Sequence, residues 1–271
     1  MKYTIGEFAK ILGVTIDTLR QYERKGIIKP YHDEINNYRY YDDEDIKVVS
    51  TSKYYSSLGF SLSQTREMIS GVPISSLTNS FAQQQIVLQK KLRLDEAKLN
   101  MVQIKFKLLS SVESMQNKYE EIILPSFVQF CHSSNNHLSQ DDDVTSVLKE
   151  WVKFLPITFF SMSVPLDVIN EPTKDFRMDM TMLVDKSHAE EFELLVTKEM
   201  KIIPARKYIY TVSKCVNRNI IDIHIVQDII DYVKGTKYSP IGDAIIVHLG
   251  TENYDRNKCN YHVTYIPVEN M

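Results

Sequence analysis

The spacing of apolar residues at the start of the chain predicts two short helices. Between residues 5 and 12 apolar side chains recur three and four positions apart, which places them on one helix face. Gly13 follows this run and suits a left-handed helix end, and Thr15 can cap a second helix. We expect Ile16 and Leu19 of that second helix to face inward. Two short helices joined by a glycine-containing turn predict a helix-turn-helix.

A β-rich stretch follows the two helices. In residues 24–41 the β-forming side chains are interrupted at Gly26, Pro30 and Asn36-Asn37, and this pattern predicts a small β-wing with a turn. The acidic cluster at residues 42–45 opens a further helix at its positive end, which explains the cluster without a ligand.

The next segment, residues 76–120, lacks Pro and Gly and is predicted to form one long helix. Apolar side chains recur on it every seven residues in two series, and the second series is interrupted by Asp95. The members are Leu92, Leu99 and Phe106 in the first series and Leu88, Val102 and Leu109 in the second. A heptad seam on a helix this long favours pairing with a second chain, so we expect a homodimer. The alternative is a helix that lies on its own domain.

The last segment of the chain changes to β-rich runs. These runs cover residues 157–164, 177–184, 207–214, 244–249 and 261–268, and helical stretches cover 144–154 and 220–233. The order strand, helix, strand, strand occurs twice. This repetition predicts an α+β domain built from two similar halves.

Composition and charge narrow the class of protein. The hydrophobic share of 43% is ordinary for a folded soluble protein, and no apolar run approaches the roughly 20 residues that span a bilayer. The opening residues lack an apolar leader, and three widely spaced cysteines fit a reducing compartment. We therefore expect a cytoplasmic protein with no membrane association. The net charge is −3, so a nucleic-acid partner must be argued from where the charges lie.

Three motifs resemble those of MerR family regulators in the recognition helix, the wing and the helices that follow: TLRQYERKGIIKP at 18–30, NYRYY at 37–41 and LGFSL at 58–62. The resemblance implies a multi-domain protein. A winged helix-turn-helix would occupy residues 1–75 and an antiparallel coiled-coil dimerisation helix 76–120. Residues 121–271 resemble, in length and layout, the GyrI-like effector domain of multidrug-sensing members.

The resemblance and the residue chemistry together place DNA contacts on the second helix and the wing. Thr18 and Arg20 lie near the helix face that would enter the major groove, and the Tyr22 hydroxyl suits a phosphate or base edge. Arg39 can hydrogen-bond phosphates through two nitrogens. The full expected set is Thr15, Thr18, Arg20, Tyr22, Tyr38, Arg39 and Lys53. Lys53 substitutes for a basic residue that the family often has at the position of Ser56, whereas Tyr40 and Tyr41 are expected to pack.

The ligand of the last segment is expected to be hydrophobic and cationic. Relatives that sense metals or oxidants use cysteines beside the long helix, but residues 71–121 contain no Cys or His, so we expect no metal and no cofactor. Aromatic walls with one buried carboxylate bind lipophilic cations. The candidate ligand-binding residues are Trp151, Phe160, Phe176, Tyr208, Tyr210, Asp243 and Tyr261. By resemblance Asp243 is the acid of this site, but it can equally cap a turn at a strand end.

The resemblance implies a ligand-responsive regulator that binds double-stranded promoter DNA as a homodimer and acts on RNA polymerase by distorting an over-long promoter spacer. One alternative is a metal- or redox-sensing regulator. Another is a hydrolase, because some isolated GyrI-like domains resemble hydrolases. His224, His248 and His262 are available for catalysis, but no motif pairs them with a carboxylate or a nucleophile, so we expect no enzyme activity.

Overall fold

The computed structural model describes residues 2–35, 38–134, 137–139, 141–171, 176–216, 224–254 and 257–271. The chain divides into two compact units, residues 1–94 and residues 95–271. Within the described ranges no helix has both the length and the apolar character needed to cross a membrane.

The first unit consists of short helices and a small sheet. Its elements are β1 (Tyr3–Thr4), α1 (Ile5–Leu12), α2 (Ile16–Arg24), β2 (Tyr31–His32), β3 (Arg39–Tyr41), α3 (Asp43–Ser57), α4 (Leu62–Ile69) and the first part of α5 (Ile74–Ser110). The strands pair antiparallel in the order β1-β3-β2, which confirms the predicted β-wing. Asn37, at the predicted wing turn, lies outside the described residues.

Local hydrogen bonds fix the ends of the first helices. The Thr15 hydroxyl accepts a hydrogen bond from the backbone N–H of Thr18, so Thr15 caps α2 as predicted. Gly13 ends α1 in the left-handed conformation with a φ of 58°. Leu19 is fully buried, but Ile16 is 38% exposed, so the expectation that Ile16 faces inward is wrong. At the first position of α2 its side chain precedes the core-facing stripe and reaches solvent.

A compact aromatic and aliphatic core holds the first unit together. The rings of Phe8 from α1 and Tyr41 from β3 stack with centroids 4.5 Å apart. Leu19 and Tyr22 of α2 pack into the same core beside Val49 of α3. The wing and the helix pair therefore share one core, so the position of one constrains the other.

Among the described residues the second unit contains the end of α5, five further helices and a large sheet. After α5 come α6 (Val112–Met115), β4 (Glu120–Leu124), β5 (Phe127–Ser134), β6 (His137–Leu138), α7 (Asp142–Val152), β7 (Phe159–Val164), α8 (Leu166–Asn170), β8 (Asp179–Asp185), α9 (Lys186–Glu191), β9 (Lys201–Ile203), β10 (Arg206–Val216), α10 (His224–Lys234), β11 (Tyr238–Pro240), β12 (Ala244–Tyr254) and β13 (Asn257–Asn270).

The long helix ends ten residues earlier than the sequence predicts. It stops at Ser110, a single helical turn follows, and the chain enters β4 at Glu120. The hydroxyl of Ser111 donates to the carbonyl of Leu108, a local bond that competes with helix continuation. Asn117 then takes a positive φ of 58°, a conformation that asparagine tolerates and that turns the chain away.

The sheet has ten strands and consists of two similar halves. Its main path runs β4-β10-β13-β12-β7-β8-β5-β6, while β11 pairs with β13 and β9 with β5. One half is β5-α7-β7-β8 and the other is β10-α10-β12-β13. In each half the third strand lies between the first and the second, and the two second strands join the halves. The repeated order is confirmed, although residues 220–223 of the second predicted helix lie outside the described residues.

The two faces of the sheet have different surroundings. On the face that we call the helical face, Ile209 and Ile266 pack against Ile229 of α10 in a buried cluster. Side chains alternate along a strand, so Tyr208 and Tyr265 point to the opposite face, which we call the second face.

Candidate functional sites

The exposed side of α2 presents polar groups with defined rotamers. The Thr15 and Thr18 hydroxyl oxygens lie 2.8 Å apart, and the Arg20 guanidinium lies 3.2 Å from the Asp17 carboxylate. The Arg20 side chain is 60% exposed. Together with exposed Ile16, these groups offer hydrogen bonds and one apolar contact to a surface docked against the helix. Such a set is what reading base edges in a major groove requires.

Glu23 ties the wing to α2. Its carboxylate accepts a hydrogen bond of 2.5 Å from the Tyr41 hydroxyl and one of 3.1 Å from Nε of Arg39. Burial and this carboxylate raise the pKa of Tyr41, so its hydroxyl stays protonated well above neutral pH. Sequence reasoning missed Glu23 because its partners lie 16 and 18 positions away in the chain. Tyr38 stands just before β3 and is exposed, as expected for a wing contact.

Two of the expected DNA contacts make contacts within the fold. Tyr22 is 4% exposed and lies in the core, so it does not extend as an arm toward solvent. The ammonium of Lys53 donates to the carbonyl of Leu12 at 2.9 Å and lies 3.5 Å from that of Gly13. Its charge thus sits at the negative end of α1. The expectation that Tyr41 packs in the fold is confirmed, since its ring is buried and stacked on Phe8.

Three of the expected ligand residues lie on the helical face, away from the others. Trp151 of α7 is fully buried and its indole N–H donates to the carbonyl of Leu195 at 2.9 Å. Phe176 packs against the cluster under α10. Phe160 is partly exposed, with its ring edge on to His132. The expectation that these rings line one pocket with Tyr208 is wrong because strand alternation sends the two groups to opposite sides of the sheet.

The second face carries a cluster of tyrosines. Tyr210 and Tyr265 stack with ring centroids 5.7 Å apart, and Tyr208 meets Tyr265 edge to face at 6.4 Å. The Tyr210 hydroxyl donates to Glu120 of β4 at 2.9 Å. Burial and this carboxylate raise the pKa of Tyr210 to about 12. Tyr261 lies further along the same face, and its hydroxyl donates to Glu252 at 2.7 Å.

Asp243 does not stand in an aromatic pocket. One carboxylate oxygen accepts the backbone N–H of Leu166, the first residue of α8, at 3.0 Å. The other lies 2.5 Å from the ammonium of Lys201. Of the two roles considered for Asp243, the structure supports a cap at a strand end, where it stabilises the start of α8. A carboxylate already paired with a lysine is a poor counter-ion for a ligand cation.

Two of the three candidate histidines lie together in the described part of the chain. Nδ1 of His248 and Nε2 of His262 lie 3.4 Å apart, and burial together with His248 lowers the pKa of His262 to about 4. The side chain of His224 lies outside the described residues. In the described part of the chain no three His, Cys, Asp or Glu side chains are grouped as a metal site would require.

Comparison with known proteins gives one family for the first unit. Residues 3–72 match the family described as MerR HTH family regulatory protein. The transcriptional regulator ZntR of Escherichia coli is 30% identical over 101 residues, which cover 37% of this chain and 71% of ZntR.

Two further proteins are similar to this chain, one in sequence and one in structure. The transcriptional activator Mta of Bacillus subtilis is 30% identical over 96 residues, which cover 35% of this chain. The chain spans only 37% of the length of Mta. The cryo-EM structure of the EcmrR–DNA complex is similar over 99% of this chain and 100% of that one, with 17% identity and a TM-score of 0.36.

Proposed function

This chain belongs to the MerR family of helix-turn-helix regulatory proteins, and on that premise we propose that it is a homodimeric transcription regulator of double-stranded promoter DNA. The proposal assigns DNA binding to residues 1–75, dimerisation to the long helix that the sequence places at 76–120, and ligand response to residues 121–271. The observation that carries it is the exposed polar side of α2, held against the wing by Glu23.

DNA recognition divides between α2 and the wing. Thr18 and Arg20 project from a helix of the right diameter for the major groove, and Ile16 offers an apolar contact of the kind that thymine methyl groups accept. At the wing, Arg39 and Tyr38 are exposed and suited to phosphate contacts. The α2 residues would then determine sequence preference, and the wing would determine position and overall affinity.

Dimerisation through α5 is supported by the apolar row along it. Leu99 is 57% and Phe106 71% exposed in the single chain, an unfavourable state for large apolar side chains. In the first unit, Leu88 and Leu92 of the same helix line an apolar groove whose walls also include Leu58, Phe60 and Phe81. A second copy of α5, running antiparallel, is the occupant that matches a heptad row of this length.

The second unit is proposed to be a GyrI-like effector domain that binds a hydrophobic small molecule on the second face. Its two-half sheet and tyrosine cluster support this assignment. The ligand-bound dimer would bend and untwist an over-long promoter spacer so that RNA polymerase can engage. Deforming DNA in this way costs several kcal/mol, within reach of a dimer that makes many contacts.

Selection of binding sites from random duplex DNA tests the proposal. The full-length protein is expected to enrich inverted repeats, because a two-fold dimer presents α2 twice. Arg20→Ala is expected to relax the preference at one base position by about 1–3 kcal/mol. Arg177→Ala, which removes an exposed arginine of the second unit, should enrich the same sites as the wild type. No enrichment over the starting library would contradict the proposal.

A further inference from the structure

The side of α2 that faces away from the core carries a stripe of polar side chains. Leu19 and Tyr22 turn inward and pack in the core of the first unit. Side chains three and four positions apart share one side of a helix, so Asp17, Gln21 and Arg24 lie together, opposite Leu19. All three are exposed. This stripe is therefore the part of α2 that a docked surface would meet first.

The polar groups near this stripe differ in whether they are already engaged. Thr18 is half-buried, and its hydroxyl oxygen lies 2.8 Å from that of Thr15. The Asp17 carboxylate accepts a hydrogen bond of 3.2 Å from the Arg20 guanidinium. The Gln21 amide, by contrast, makes no hydrogen bond to any residue that the structure describes. Its donor and its acceptor are both available to a partner outside the chain.

The position of Gln21 along α2 suits contact with base edges. Side chains of a helix lean toward its N-terminus, so the Gln21 side chain covers the turn that contains Asp17. The N-terminal turns of a recognition helix are the ones that reach the bases in a major groove. Arg24, nearer the end of α2, is placed for the phosphates that border the groove.

The chemistry of the glutamine amide distinguishes one base from the others. The amide carries an N–H donor and a carbonyl acceptor side by side. In the major groove adenine presents an acceptor, N7, next to a donor, the N6 amino group, whereas guanine presents two acceptors and cytosine one donor. A pair of hydrogen bonds that uses both groups of the amide therefore fits adenine.

We propose that Gln21 reads an adenine in each half of the inverted repeat that the dimer binds. Its amide nitrogen donates to N7 of the adenine, and its amide oxygen accepts from the N6 amino group. The inference rests on the proposed function, since it requires that α2 enters the major groove, and it adds a base-reading residue to Thr18 and Arg20. A glutamine that contacts a phosphate is the competing explanation.

Selection from random duplex DNA with Gln21→Glu tests the assignment through a change of base. A carboxylate offers acceptors alone, so it repels N7 of adenine and accepts from the amino group of cytosine. We expect the full-length wild type to select adenine at one position in each half of its site. Gln21→Glu should select cytosine at that same position and the wild-type bases elsewhere.

Gln21→Met provides a second variant, because methionine has a side chain of similar length without the amide. Competition between duplexes that differ only at this position should show the wild type favouring adenine by roughly 5- to 100-fold. The preference of Gln21→Met should fall below about 3-fold. Gln83→Glu is the matched control, since Gln83 is exposed on α5 and the variant adds the same charge to the first unit outside α2. It should select the wild-type site.

Three results would overturn the inference. In the first, both Gln21 variants select the wild-type bases; in the second, the position that changes is not adenine in the wild-type site. In the third, Gln21→Met weakens binding to all sequences alike and keeps the preference for adenine, as loss of a phosphate contact predicts. If Gln21→Glu binds no DNA, the competition with Gln21→Met decides.

The same selection separates this inference from the proposed function. A wild-type protein that enriches no inverted repeat counts against the proposed function. A wild-type protein that enriches inverted repeats, with base choice independent of Gln21, counts only against the adenine assignment.

Discussion

At the scale of single residues, Glu23 determines how the wing is presented. Its carboxylate holds Arg39 by one edge of the guanidinium, so a phosphate would meet an arginine whose orientation is already restricted. Pre-orientation of this kind reduces the entropy lost on binding.

Arg39→Ala is expected to weaken binding to most DNA sequences alike. The change removes one phosphate contact, so the slope of log affinity against log salt should become shallower by about 1. Fluorescence anisotropy at several salt concentrations measures both quantities. Arg20→Ala provides the contrast, because a base-reading residue should change preference more than slope. An unchanged slope for Arg39→Ala would remove the wing from the DNA interface.

The buried His262 predicts a pH dependence of stability. Its pKa in the fold is lowered to about 4, whereas an unfolded chain binds the proton near its ordinary value. As the pH falls from about 7 to about 5, the unfolded state therefore takes up more protons than the folded state. Protonation of this one group lowers the free energy of unfolding by about 1–2 kcal/mol over that interval. Urea unfolding at the two pH values measures this change. The free energy of unfolding should fall less for His262→Gln than for the wild type.

His137→Gln is the control for this measurement, since His137 is exposed. It should retain the wild-type dependence on pH. If His262→Gln and the wild type lose stability equally between the two pH values, the His262 side chain is not kept neutral in the fold.

At the scale of elements, part of α5 could be predicted from the sequence pattern and part could not. Its start and its apolar row follow from periodicity, but its end depends on Ser111 and Asn117, which carry only weak local signals. Strand β4 was missed because it opens with Glu120 and Glu121, whose partners Tyr210 and Lys207 lie far along the chain. Partners this distant leave no local pattern.

Leu99→Glu is expected to convert the proposed dimer into monomers. The substitution places a charge in an apolar seam, and burying it unpaired costs several kcal/mol, so the dissociation constant should rise at least about 100-fold. Light scattering over a concentration series measures the change. Asn100→Glu adds the same charge one position away, outside the heptad series, and should remain dimeric. A dimeric Leu99→Glu protein would show that α5 does not form the interface.

At the scale of the whole molecule, the repeat of two halves could be predicted from the sequence. The face of the sheet on which each side chain lies could not. The structure has the predicted repeat of strands and helices with matching strand positions, although β5, the first strand of the first half, was not among the predicted runs. Which face a ring occupies depends on strand register across the whole sheet, and a shift of one residue reverses it. Aromatic content alone therefore placed Trp151 and Tyr208 in one site, although they lie on opposite faces. Asp243 was misjudged for a similar reason, since its partners Leu166 and Lys201 come from distant segments.

The burial of Trp151 makes it a natural spectroscopic label. It is the single tryptophan of the chain, and its indole is packed in the second unit, against Phe130. Intrinsic emission excited at the indole band therefore follows the unfolding of the second unit alone, while circular dichroism follows the helices of both. If the two signals change at different denaturant concentrations, the units unfold independently, and the first unit can unfold without any change in emission.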